Sequence, residues 1–327
     1  MFPVLLALAL LFDFLNGIHD SSNIVATVIS SHALRPRVAL FLAAIATFAG
    51  PFLFGVAVAT TIGKGLLDQN ALQANVIIAA LISAILWNLI TWYLGIPSSS
   101  SHALIGGLLG ASVLSSGLLV LQLDGLIKIL VALLISPILG FVVGFFVIRL
   151  TFWVVRDASP RISHFFRRIQ ILTLIGLGLS HGTNDAQKTM GVITLGLVLV
   201  GDMQDFHVPL WVIAASAAAI ALGTSLGGWQ LIRTLGGKMF RIRPIHGFTS
   251  HIAGASVILV AALLGGPVST TQVMSSAIIG VGAGERISKV RWSILSDLIT
   301  AWLLTIPATA GLAALTWYLL DMFVVLQ

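Results

Sequence analysis

Apolar residues run along this chain in long unbroken stretches, without the alternation of a half-buried strand or the narrow stripe of a soluble amphipathic helix. Charged residues or Gly/Pro clusters separate the stretches, which fall at 1–33, 37–62, 74–95, 98–120 and 124–155. A second series falls at 169–200, 208–233, 247–265, 267–284 and 292–320. Runs such as 38–59 and 126–150 supply the ~20 apolar residues that a helix needs to cross a bilayer. The short alternating strands of an outer-membrane barrel have a different pattern. The prediction is an all-α, polytopic membrane protein of ten segments. Residues 1–16 lack a basic leader region and a small-residue cleavage site, so they read as part of the first span. Segments 98–120 and 267–284 are rich in Ser and Gly, and are expected either to span or to re-enter as hairpins.

Two polar signatures interrupt this pattern, and each occurs twice. Asn16-Gly17-Ile18-His19-Asp20-Ser21-Ser22-Asn23 matches His181-Gly182-Thr183-Asn184-Asp185-Ala186-Gln187-Lys188 at an offset of 165. Pro97-Ser98-Ser99-Ser100-Ser101-His102 matches Pro267-Val268-Ser269-Thr270-Thr271-Gln272 at an offset of 170, which also carries Pro137 onto Pro307. Paired signatures in the same order predict a duplication: a first membrane repeat at 1–155, a basic cytoplasmic linker at 156–168 and a second repeat at 169–327. Lys and Arg cluster near Arg35 and Arg37, in 156–168, in 233–243 and in 286–291. The loops near Asp68, Asp124, Asp202 and Asp205, and the tail with Asp321, are acidic or balanced. Placing basic loops inside puts both termini outside, with five crossings per half. An odd number inverts the second copy, giving two inverted repeats, the plan of many secondary transporters.

Composition agrees. Of 327 residues, 58% are hydrophobic and only 9% charged, against about a quarter charged in a soluble domain. The net charge of +6 reflects basic loops and few acids, and no aromatic-interleaved basic patch points to nucleic acid. With no cysteine there is no disulfide, thiolate or Cys-metal chemistry.

Asp20 and Asp185 lie at equivalent places inside apolar segments, where a carboxylate costs ~2.5–3.5 kcal/mol to insert and is functional by default. Gly17 and Gly182, three residues earlier, are expected to break the helix and free carbonyls for an ion. The competing reading is that each Asp only bonds a neighbouring helix. Ser98, Ser99, Ser100 and Ser101, and Ser269, Thr270 and Thr271, follow prolines that open a helix. Backbone N–H groups and hydroxyls there suit an oxyanion; alternatively, small residues merely allow close packing. The halves differ at Asn23 against Lys188, His19 against Asn184 and His102 against Gln272. Lys188 could bridge Asp185, touch the anion or fill the space of a second cation. His19 and His102 join Asp20 and Asp185 as candidates for ion coupling, since histidine titrates near neutrality; His181 is a weaker one. Asn88 and Thr91 share a helix face, Thr224, Ser225 and His251 are further polar positions, and Asp297 is expected to face protein or a cavity. No metal ligand set is assigned. No HExxH is present, and no GxSxG on a strand-to-helix turn, which speaks against an enzyme, and no ring of fixed charge suggests a passive channel.

The two Asp-containing signatures, extended to Thr27 and from Ser180 to Gly191, resemble the paired motifs of the inorganic phosphate transporter (PiT) family. Residues 97–102 and 267–272 resemble its two Ser/Thr-rich hairpin tips. Residues 223–229 and 243–248 (Gly-Thr-Ser-Leu-Gly-Gly-Trp and Arg-Pro-Ile-His-Gly-Phe) extend the resemblance over nearly the whole chain. It implies symport of inorganic phosphate across a cell membrane, driven by H⁺ or Na⁺ without a cofactor, often in a homodimer. Anion contacts are implied for Asp20, Asn23, Asn184, Asp185 and both hydroxyl runs. His19 stands where many members have Asn, Lys188 where sodium-coupled members tend to have a second Asn, and His251 where many have Glu. Fewer oxygen ligands favour proton coupling, with a neutral metal-phosphate complex as one possible cargo. The family also includes sulfate permeases, and these residues do not separate the two tetrahedral anions.

Overall fold

The computed structural model describes residues 1–68, 72–159 and 161–325. Among them are twelve α-helices, and no strand beyond a single bridge between Leu67 and Leu121. The first six are α1 (Phe2–Ser30), α2 (Pro36–Phe54), α3 (Ala57–Gly65), α4 (Ala74–Leu94), α5 (Ser100–Ser116) and α6 (Leu123–Val154). The second six are α7 (Ile162–Leu199), α8 (Leu210–Leu226), α9 (Trp229–Arg233), α10 (Pro244–Leu263), α11 (Thr270–Glu285) and α12 (Trp292–Val325). Helices α1, α2, α4, α6, α10 and α12 are long and apolar enough to cross a membrane; α8 reaches that length and apolarity only together with the stretch after it, bent from it by 60°.

Two of the ten expected segments are broken. Residues 37–62 divide into α2 and α3 at Gly55 (φ 80°), and 208–233 into α8 and α9 at Gly227 (φ 79°). Both glycines adopt a left-handed backbone that a side chain disfavours. The breaks fall at the same place in each series. Helix α7 begins at Ile162, so its first turns occupy much of the stretch expected as linker; Pro160 of that stretch lies outside the described residues.

The expected breaks at Gly17 and Gly182 do not occur: α1 and α7 run through both positions. Here the missing Cβ serves packing. A methyl on Gly17 would collide with the Ile220 carbonyl of α8, and one on Gly182 with the Thr47 carbonyl of α2. Gly223 and Gly50 complete the two contacts from the other side, against Phe14 and Leu179. Without a hydrophobic force between helices in lipid, such backbone contact is what dispersion rewards. The same device joins α5 to α12 through Gly106 and Gly110, and α6 to α11 through Gly140, Gly144, Gly280 and Gly284. Each contact thus has a counterpart with the two series exchanged.

Two apolar cores flank a polar middle layer. Leu5, Ala9 and Phe12 of α1 enter the first core, and Ile24, Val25 and Val28 the second. On α7 the order reverses: Leu174 and Leu177 lie in the second core, Met190 to Leu197 in the first. The two helices therefore cross the layer in opposite senses, with Asp20 and Asp185 at its centre. Outward positions such as Phe41, Phe48, Leu134, Phe146 and Leu303 are exposed and apolar, as a lipid-facing surface requires.

The Ser/Thr signatures close two helical hairpins. Helix α4 turns through Gly95 (φ 67°) into α5, and α10 turns through Gly265 (φ 71°) into α11. With 17 and 16 residues, α5 and α11 reach about 25 Å at 1.5 Å per residue, short of a ~30 Å hydrocarbon core. Their first turns are buried against the middle of α1 and α7, the geometry of a re-entrant hairpin.

Candidate functional site

Each Asp-bearing helix meets the tip of the hairpin from the other half. On α1, Asp20 and Asn23 share a face one turn apart. The Asp20 Oδ1 accepts from Thr271 Oγ1 (2.6 Å) and from Asn23 Nδ2 (2.8 Å), and Asn23 Nδ2 also lies 3.0 Å from Thr271 Oγ1. On α7, Lys188 Nζ donates to Asp185 Oδ1 (2.5 Å) and to Ser101 Oγ (2.6 Å). Ser101 and Thr271 are equivalent at the 170 offset, and the helix residues at 165. One triangle is therefore built twice, with a carboxamide in the first copy and an ammonium in the second.

Thr270 joins the copies. Its hydroxyl stands 3.0 Å from Asp185 Oδ2 and 3.4 Å from Asp20 Oδ2, between the carboxylates. His181 Nδ1 lies 3.2 Å from Asp185 Oδ2, and His19 Nδ1 3.5 Å from Asp20 Oδ1. Asp20, Asp185, Lys188, His19 and His181 are all at most 3% exposed. The Asp185–Lys188 pair compensates itself, whereas Asp20 is held by neutral donors and the nearby His19. With neutral histidines, two carboxylates against one ammonium leave the cluster formally at −1.

The other predicted residues build the tips. Ser99 Oγ accepts from the His102 backbone N–H (3.1 Å) and Ser269 Oγ from that of Gln272 (3.3 Å), so both are N-caps. The N–H groups of the first turn that a helix leaves unpaired belong here to Ser100, Ser101, Thr270 and Thr271. Ser98 donates to Thr91 Oγ1 (2.8 Å) and pins its tip to α4; Ser100 is buried beside it. Tip meets tip where Ser101 donates to the Val268 carbonyl (3.0 Å) and His102 Nδ1 lies 3.1 Å from Gln272 Nε2. Asn184 donates to the Gly266 carbonyl (3.3 Å), and its Oδ1, like that of Asn23, is buried without a partner. Asp20, Asn23, Ser101, Asp185, Lys188, Thr270 and Thr271 thus form one cluster. His102 bonds neither carboxylate and borders an apolar cavity of about 440 Å³ beside Pro137 and Trp302.

A model of the phosphate transporter family matches residues 16–313. The chain belongs to that family. It is 45% identical over 318 residues to a "probable low-affinity inorganic phosphate transporter" of Bacillus subtilis (strain 168), covering 96% of this chain and 95% of that one. A protein of Rhizobium meliloti (strain 1021) with the same description is 44% identical over 326 residues, 98% of each chain. A solved structure described as the sodium-dependent phosphate transporter shares the fold, with a TM-score of 0.87 at 24% identity over 98% of this chain and 99% of that one.

Further polar groups are buried beyond the residues singled out for the anion and the coupling ion. Asp13 is fully buried on α1, accepts from Thr189 Oγ1 (2.5 Å) and leaves Oδ2 without a partner. The rule that singles out Asp20 applies to it equally, but the position 165 residues on is Gly178, so the duplication gives no hint. Gln187 donates to the Gly55 carbonyl (2.6 Å) and accepts from Val58 N (2.7 Å), tying the α2–α3 break to α7. Ser21 accepts from Gly228 N (2.8 Å) at the α8–α9 break. His251 bridges Thr27 (2.7 Å) and Thr173 (3.2 Å) of three different helices. Asp297 departs from expectation: it is exposed in the second turn of α12, near the helix end where a carboxylate can reach water.

Proposed function

We propose that the protein is a secondary active symporter of inorganic phosphate, with a proton as the coupling ion and a site shared by α1, α7 and both hairpin tips. The observation that carries this reading is the Thr270 hydroxyl placed between Asp20 and Asp185. Donors suited to an oxyanion converge there: three hydroxyls, the first-turn N–H groups of two helices, and Lys188. Yet the cluster already carries formal −1, so a phosphate anion cannot enter without positive charge. That requirement is the physical basis of symport. In the second half Lys188 supplies a resident cation at the place where Asn23 sits in the first. The movable proton then belongs to the Asp20 side, where His19 is, among the described residues, the basic side chain paired with the carboxylate.

Alternating access follows from treating the two series as inverted repeats. The opposite senses of α1 and α7 and the exchanged glycine contacts support this. The repeats swap inequivalent conformations, and the tip contacts Thr271–Asp20 and Ser101–Lys188 open in turn. Basic loops face the cytoplasm of a cell membrane with both termini outside, and the unit is a homodimer, as the family resemblance implies. Labelled phosphate uptake into proteoliposomes tests the reading. Uphill accumulation under an inward proton gradient, lost when the gradient is dissipated and unaffected by sodium, is expected. Accumulation driven by sodium alone overturns the choice of ion, and equilibration without accumulation overturns symport. Sulfate competition and Mg²⁺ dependence in the same assay identify the anion and its form.

A further inference from the structure

Away from the central cluster, on the basic face, the end of α1, the segment between α9 and α10, and the turn after α11 enclose a cavity of about 470 Å³. Its wall carries Arg241, Arg243, Lys289 and Arg291 beside Ser30 and His32, and no acidic side chain. Glu285, just outside it, pairs with Arg243, with Lys289 (3.0 Å) and with His246 (3.0 Å). One carboxylate therefore serves two of the four cations. Among the described residues no carboxylate pairs with Arg241 or Arg291. Four like charges around one concavity raise its potential and concentrate anions. Guanidinium groups match phosphate oxygens in two-point geometry. The negative end of α1 is blunted: His32 (φ 55°) closes the helix, with Ala33 N on the Val28 carbonyl (3.0 Å) and His32 N on that of Ile29 (3.0 Å).

We infer that this cavity binds a phosphate-bearing polyanion, and that the bound ligand restrains the carrier from this face. The walls supply the second half of the inference. Helix α1 carries Asp20 and Asn23, while residues 236–243 and 289–291 flank the α10–α11 hairpin whose tip carries Thr270 and Thr271. Gly236 packs against Ser30, and Arg291 N donates to the Met239 carbonyl (3.2 Å), so the three walls already touch. A ligand spanning Arg241 and Arg291 ties α1 to the hairpin, whereas the cycle needs the Asp20–Thr271 contact to open. The restraint rests on the transport reading above; the binding does not.

The chemistry has two sources, a soluble condensed phosphate or an anionic lipid headgroup, and the test separates them. Wild type and Arg241→Gln/Arg291→Gln are compared in nanodiscs of zwitterionic lipid by calorimetric titration with inorganic tripolyphosphate. Retention of phosphatidylglycerol is read for both by native mass spectrometry. Both arginines are exposed and lie outside the central cluster, so the variant is expected to move phosphate normally when neither ligand is present. Tripolyphosphate binding at least tenfold tighter to wild type identifies a soluble ligand; phosphatidylglycerol retained by wild type and lost from the variant identifies a lipid. With either ligand supplied at the basic face, influx falls several-fold in wild type only. Equal behaviour of the two proteins in both binding arms, or no binding by wild type in either, overturns the inference. Ligand-dependent binding with unchanged influx overturns the restraint. A chain that binds but moves no phosphate refutes the transport reading instead.

Discussion

Asp20 and Asp185 are equivalent in sequence but not in charge environment, so their neutralisation must have different consequences. Asp185→Asn strands the Lys188 ammonium, 2% exposed and, among the described residues, bonded otherwise only to Ser101. Breaking a buried pair from one side costs about 3–5 kcal/mol, a large share of the 5–15 kcal/mol typical of a folded domain. Asp20→Asn removes a carboxylate that pairs with no ammonium among the described residues, and a carboxamide oxygen can still accept from Thr271. Its expected cost is about 1 kcal/mol, that of weakening charge-assisted hydrogen bonds. Asp185→Asn/Lys188→Met removes both members of the pair and should recover most of the loss, since an apolar replacement of a buried pair is often neutral. Thermal unfolding in detergent, with the monodisperse fraction by size exclusion, reads stability; labelled phosphate uptake reads function. All three variants should fail to accumulate phosphate. In stability, Asp185→Asn should fall well below Asp20→Asn and below its own double variant. Equal stability of the two single variants, or a double no better than Asp185→Asn, would refute the charge assignment.

Three further outcomes follow from the packing and the tips. Thr270→Val keeps volume and removes the bridging hydroxyl; with hydrogen bonds to charged groups contributing about 1.5–3 kcal/mol, uptake should drop at least tenfold, and Thr270→Ser should restore most of it. Gly182→Ala forces a methyl into the Thr47 carbonyl and should cost about 1–3 kcal/mol or more in thermal stability, whereas Gly176→Ala, with open space around its Cβ position, should be silent. Ser269→Ala removes an N-cap and about 1 kcal/mol of helix-end stability, so faster hydrogen exchange is expected at the start of α11 with slowed uptake.

The parts of the fold legible in the sequence are those set by solvent. Apolar runs locate the membrane helices because lipid leaves no other way to satisfy the backbone. The paired Asp and Ser/Thr signatures stand out because polar groups in such runs are costly. Repeat offsets show which residues are equivalent, Asn23 with Lys188 and Ser101 with Thr271, but not that each Asp-bearing helix meets the tip of the other half. The roles of glycine were not legible. Gly17 and Gly182 read as breaks but are contact points, while the actual breaks at Gly55 and Gly227 look unremarkable, since glycine marks any place where backbone must come close or turn. Asp13 does not stand out in the sequence because the duplication marks only paired carboxylates and its counterpart is Gly178. His102 reads as a coupling candidate because histidine titrates near neutrality, yet it bonds Gln272 across the tips; only tertiary contact separates the histidine of a tip from those beside a carboxylate.

The most direct check is a structure determined with arsenate in place of phosphate, located by the anomalous signal of arsenic. A site shared by the two halves requires the arsenic atom between Asp20 and Asp185, with its oxygens in hydrogen-bond reach of Thr270, Thr271 and Ser101. Arsenate bound to one half alone, or elsewhere while this cluster keeps its internal bonds, would contradict it.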